Sequence, residues 1–143
     1  MINNIIDGIA VKLHQIEPDY TLYKEEIPQG FDEPCFSILH IQSSNTGKLP
    51  IRYLRRNAFD IHFFPDTKSA NQKEEMYRIG EALFLALEHI KVLDNLARGT
   101  NMRYEIVDGV LHFFVNYDFY VKRQPDGEEI YMKSLNSKLT VEE

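Results

Sequence analysis

The stretch DGVLHFFVNYDFYVKR, residues 108–123, leaves this chain little choice of fold. Leu111, Phe113, Val115, Tyr117, Phe119 and Val121 recur at every second position. Between them stand His112, Asn116, Asp118 and Lys122, with Phe114 and Tyr120. A period of two is that of a pleated strand, whose side chains point alternately to opposite faces. Asp108-Gly109 just before the run favours a two-residue hairpin turn, in which both central residues take positive φ. MRYEIV, 102–107, is then the antiparallel partner. One face of such a pair needs cover, and the other tolerates water.

The cover comes from two amphipathic segments. Ile2, Ile5, Ile6, Ile9, Leu13 and Ile16 recur at helical spacing over residues 2–16, and Pro18 ends the helix. Isoleucine is a modest helix former, so burial rather than propensity must hold this helix. A second helix is expected from about residue 70 to residue 90, with Met76, Ile79, Leu83, Leu87 and Ile90 as its buried stripe. Tyr77 and Phe84 widen that stripe, and the run ALFLALEHI predicts a helix covered on most sides. Ser69 with Gln72, or Asn71 with Glu74, offers a capping box at its start.

The remaining segments read as strands and loops. YTLYKEEI, 20–27, is a short strand, and PQGFDEP is a loop by its Pro and Gly content. CFSILHI, 35–41, is a strand with Phe36, Ile38 and His40 on one face and Cys35, Ser37, Leu39 and Ile41 on the other. QSSNTGKLP, 42–50, predicts a flexible hairpin loop. IRYLRRNAFDIHFF, 51–64, is a long strand in which Phe59, Ile61 and Phe63 oppose Asp60 and His62. Pro125-Asp126-Gly127 marks a turn before a last strand within EIYMKSLNSKL. The order α-β-β-β-α-β-β-β, with short hairpins, predicts an α+β fold: a mainly antiparallel sheet with two amphipathic helices packed on one face.

Size and charge narrow the function. The 143 residues suit one domain, 1–143, with 140–143 as a frayed tail. The N-terminus lacks the basic region of a signal peptide, and no apolar run approaches the ~18 residues of a membrane span. A soluble, cytoplasmic protein without a membrane partner is expected. One cysteine excludes an internal disulfide. A formal charge of −6 argues against non-specific binding to nucleic acid.

No set of residues in the sequence makes a convincing active site. Cys35 has no local base, and Asp32 and Glu33 beside it disfavour a thiolate; it reads as a small apolar residue at a strand start. The five histidines, His14, His40, His62, His89 and His112, show no HxH or HExxH spacing, and no CxxC occurs. Asp60 and His62 share one strand face, and His112 and Asp118 share another. Were those strands neighbours, a metal or acid–base site would be conceivable, and a hydrolase using Asp60, His62 and His112 is the most distant reading. Alternation produces such pairs without function, so polar residues on a solvated or interface-facing sheet side are expected, with no catalytic residue, cofactor or metal. Arg52, Arg55 and Arg56 surround Tyr53 in the one dense basic stretch. That cluster would suit a nucleic-acid or small-ligand binding module. Arg and Tyr are also enriched at protein interfaces, and the net charge favours a subunit contact.

Several stretches resemble a known family. The QGF…PCF segment around Cys35, Phe59-Asp60-Ile61 leading to Phe64-Pro65, and Asp108-Gly109-Val110-Leu111-His112-Phe113 followed by Tyr117 are similar to the phage tail terminator family, small prophage tail proteins of Gram-positive bacteria. The similarity covers nearly the whole chain and includes no catalytic motif. The resemblance implies a structural virion protein that caps the head-proximal end of the tail tube and joins it to the head connector. It implies a hexameric ring on the tail, formed in some relatives from monomers, and a location in the host cytoplasm during assembly and then in the virion tail. Its partners would be further copies of itself, the tail tube protein and the head–tail connector protein. No specific nucleic-acid binding is expected. A ring needs contacts that close by rotation. The candidate subunit-interface residues are Arg52, Tyr53, Arg55, Arg56, His112 and Tyr120, and the 42–50 segment is long enough to reach a neighbour or the lumen. A neighbouring head–tail joining role is the close variant of this reading.

Overall fold

The computed structural model describes residues 1–24, 27–49, 52–123 and 129–131. In chain order the elements are α1 (Ile2–Ile16), β1 (Thr21–Tyr23), β2 (Cys35–Leu49), β3 (Arg52–Phe64), α2 (Gln72–Ala86), β4 (His89–Val92), β5 (Asn95–Val107), β6 (Val110–Arg123) and β7 (Glu129–Tyr131). The strands form one sheet in the order β1-β2-β3-β6-β5-β4, with β7 added to the far end of β6. Only β1 with β2 is parallel among the described pairings. The expected class, an α+β fold with a mainly antiparallel sheet and two helices, is what the chain adopts.

The core lies between the helices and one sheet face. Ile5, Ile9 and Leu13 from α1 and Met76, Ile79 and Leu83 from α2 meet Phe36, Ile38, Phe59, Ile61, Phe63, Leu111, Phe113, Val115 and Tyr117. Every inward position of β6 from Leu111 to Val121 is buried, as the alternation requires. Tyr20, just before β1, sits on this core: its ring stacks on Phe63 at 5.8 Å and lies 5.9 Å from Phe36. The Tyr117 hydroxyl donates to the Leu87 carbonyl at 2.7 Å, satisfying a buried acceptor where α2 ends. Burial pushes that hydroxyl's pKa up.

Three segments depart from expectation. Residues 42–49 are not a flexible loop: β2 runs on to Leu49, paired with β3 from Gln42↔Ala58 to Leu49↔Arg52, and residue 50 lies outside the described residues. Ser, Asn and Gly have low strand propensity, and here the ladder to β3 overrides it. The register shifts between His40 and Gln42, where Ile41 bulges.

The second helix ends at Ala86 rather than at residue 90, and His89–Val92 forms β4. Leu87 and Ile90 are buried as expected, but from a turn and a strand. Nor is the helix covered on most sides, since Leu85 is 80% exposed. Asn71 stands at its N-cap without a side-chain cap hydrogen bond, so neither capping box forms. Gln72 Nε2 instead donates to the carbonyls of Thr67 and Ser69.

Finally, β5 begins at Asn95, well before residue 102, and pairs with β4 as a hairpin. Its turn residues, Leu93 and Asp94, have φ of 50° and 66°. Leucine is costly in that region and gives no turn signal in sequence. The Asp108-Gly109 turn, at φ 52° and 76°, forms where expected. The strand expected at 20–27 is shorter, Thr21–Tyr23, with Tyr20, Lys24 and Ile27 outside it and residues 25–26 not described. The 125–127 turn, the last strand beyond Tyr131 and the 140–143 tail lie outside the described residues.

Candidate functional site

The sheet face turned away from the helices carries the polar residues of β3 and β6. Cross-strand register sets them in rows. Ser37, His62, His112 and Glu105 form one row across β2, β3, β6 and β5. Leu39, Asp60, Phe114 and Arg103 form the next. Further along come the pairs Arg56↔Asp118, Leu54↔Tyr120 and Arg52↔Lys122.

The condition set by the sequence is therefore met for three residues: β3 and β6 are neighbours, and Asp60, His62 and His112 converge. Asp60 Oδ2 lies 2.9 Å from His62 Nε2 and 3.1 Å from His112 Nδ1. The two imidazole centroids are 4.2 Å apart, edge to face. Asp60 is 14% exposed and the histidines 21% and 22%, so the group is sheltered but reachable. Phe64 and Phe114 flank the rings, and the Arg103 guanidinium lies over Phe114 at 4.1 Å.

Asp118 does not join this group. It pairs with Arg56 at 3.8 Å, two register steps beyond Asn116 and Ala58. Burial raises its carboxyl above the ordinary value, against the opposing pull of Arg56 and of a hydrogen bond from the Asn57 backbone.

The structure also divides the basic cluster. Tyr53 and Arg55 alternate with Arg52, Arg56 and Tyr120, so they project from the opposite side of the sheet. Tyr53 is 9% exposed, and the Arg55 guanidinium sits 5.5 Å from its ring centroid while also donating to the Asn45 side chain. His112 belongs to the Asp60 group. The six candidate interface residues thus do not make one continuous surface, and a nucleic-acid groove built on Arg52, Tyr53, Arg55 and Arg56 loses its shared face.

A surface that the sequence disguised is the second half of β2. Residues 41–47 are all exposed. A polar chain anchors it: His40 Nε2 lies 2.9 Å from Ser43 Oγ, Ser43 donates to Asn57 Oδ1 at 2.7 Å, and buried Asn57 donates to the Tyr117 carbonyl at 3.0 Å. Asn57 in an alternating run was the available signal.

Cys35 is fully buried beside Phe64, its register partner, on which Phe31 of the preceding loop packs at 5.0 Å. Burial pushes its thiol up to about 11, with Glu33 and Asp32 adding to the effect. An inert core thiol follows.

Residues 4–129 match the family model described as phage tail terminator protein, and the chain belongs to that family. A search of the curated proteins found no match. Tail terminators are structural rather than enzymatic, so this chain is a structural component of the phage tail, in keeping with the inert Cys35. Membership implies a place on the tail tube.

Proposed function

We propose that the chain caps the head-proximal end of the tail tube as a hexameric ring and offers its outer side to the head–tail connector. It assembles in the host cytoplasm, from monomers that close only on the tube. The observation that carries this reading is the family match over residues 4–129. The shape of the fold supports it. A ring requires two unlike surfaces that meet head to tail. The exposed half of β2 is one, with Ile41 at its root. The other is the open groove between α1 and the β4–β5 turn, lined by Asp7, Val11, Lys12, Lys91 and Leu93. Ile41, Val11 and Leu93 are each at least half exposed, which leaves an apolar side chain available on each of the two surfaces.

The test uses Ser44→Arg on the strand and Val11→Asp in the groove. Each variant is expected to stay folded, to leave isolated tail tubes uncapped by negative-stain microscopy, and to give overlong tails in the phage. A mixture of the two retains one good pair of surfaces, so it should form dimers on tubes but no closed ring. Normal capping and tail length in both variants would sink the proposed contact. Unchanged tail length after deletion of the gene would sink the capping role itself.

A further inference from the structure

Two imidazoles and a carboxylate point at one spot on the outer sheet face. His62 and His112 are directly paired across β3 and β6, and Asp60 stands one step along the same face. The three potential ligand atoms all lie within 4.8 Å of one another, and two of the three separations are 2.9 and 3.1 Å. Ligands bound at ~2.1 Å to a tetrahedral zinc ion stand roughly 3.4 Å apart. Small side-chain rotations separate the one arrangement from the other.

Protons satisfy this group incompletely. Each ring nitrogen facing Asp60 must carry a hydrogen to bond it, and both then point at the same oxygen, Oδ2. Asp60 Oδ1 is buried and has no hydrogen-bond partner among the described residues. A buried acceptor left unpaired is costly, and buried unpaired groups in native proteins call for a reason. A cation between the three side chains supplies one. It takes a lone pair from each ring, whose hydrogen moves to its other nitrogen, and its charge offsets that of the carboxylate.

We propose that Asp60, His62 and His112 bind one first-row divalent transition-metal ion, with zinc as the principal candidate. Two imidazoles and one carboxylate suit zinc, cobalt or nickel rather than magnesium or calcium. Phe64 and Phe114 flank the two rings. Glu105, opposite His112 on β5 and 3.7 Å from Arg103, puts a further carboxylate in the same row. The ion clamps β3 to β6 and has a structural role. The site does not depend on the ring proposed above, and either proposal can fail alone.

The full chain, free of affinity tags and stripped with a chelator, is titrated with Co²⁺ and followed by visible absorption. Ligand-field bands should grow to one equivalent, and Zn²⁺ should abolish them. At a hundredfold excess over its dissociation constant, Zn²⁺ should raise Tm by roughly 5–10 °C, while Mg²⁺ should not. His62→Ala, His112→Ala and Asp60→Asn should each weaken Co²⁺ binding at least tenfold, and His14→Ala should leave it unchanged. Circular dichroism checks that each variant is folded. The unaltered protein is decisive even if a variant is not: no bands at 100 μM Co²⁺ overturns the site. Binding that survives both histidine substitutions in folded protein overturns it equally.

Discussion

The two halves of β2 belong to one continuous strand but live in different surroundings. From Cys35 to Ile38 every residue is buried, and from Ile41 to Gly47 every residue is exposed. The first half is held by side chains: Phe36 packs 5.4 Å from Phe63, and Phe36 and Ile38 share the buried core with Ile5, Ile9 and Leu13 of α1. The second half is held by its ladder to β3 and by the short polar chain through Ser43 and Asn57. Burial supplies most of folding stability, so the first half is where the fold is secured. The second half contributes shape and a surface at little energetic cost either way.

Substitutions test this contrast, beginning with the largest effect. Phe63→Ala, between Tyr20 and Phe36, should lower unfolding free energy by about 3–5 kcal/mol in urea titrations, as large aromatic truncations in cores do. A loss under about 1 kcal/mol would deny the first half its anchoring role. Asn57→Ala, at the junction, should cost about 1–3 kcal/mol, because it removes the buried hydrogen bond to the Tyr117 carbonyl and the Ser43 contact. Its particular signature is faster amide exchange over residues 42–47 than over 35–38. Equal acceleration in both halves would show that they are one unit.

The next effect depends on pH. Asp118, opposite Arg56 in the outer half of β3, has its carboxyl pKa raised by burial. The folded chain therefore holds this proton more tightly than the unfolded chain. The resulting stabilisation is complete below the ordinary carboxylate value of about 4 and is lost as pH rises through the folded value. Asp118→Asn should thus gain on the unaltered protein in urea midpoint as pH goes from about 4 to 7. A gap that shrinks over that range would mean that the folded chain holds the Asp118 proton less tightly than the unfolded chain. The smallest effect belongs to the exposed strand: Thr46→Ala should stay within about 0.5 kcal/mol, and a larger loss would mean that this half also secures the fold.

How legible the site was depended on range. Asp60 and His62 were visible as one face of one strand, and His112 as a polar position in another. Their meeting required β3 and β6 to be neighbours, a pairing between segments about fifty residues apart in sequence that local pattern does not encode. The basic cluster failed in the opposite way. Arg52, Tyr53, Arg55 and Arg56 look contiguous when written out, but alternation sends them to two sides of the sheet. The same rule that revealed the core was enough to divide them.

Regular alternation and helical spacing gave the α+β class, both helices and the inward residues of β3 and β6, because burying apolar side chains demands those periods whatever the topology. The tight turn at Asp108-Gly109 was equally plain, since few residues accept positive φ. Three features waited for the assembled fold. The strand character of residues 42–49 comes from β3 beside them. The β4–β5 hairpin turns at Leu93-Asp94 against local preference, held by packing: Ile90 and Val92 are buried, and a Cβ at Gly99 would lie 2.5 Å from the Leu87 carbonyl oxygen. The convergence of Asp60, His62 and His112 follows from strand order. Each rests on contacts between residues far apart in the chain, where the energy of pairing and burial outweighs what any short stretch prefers by itself.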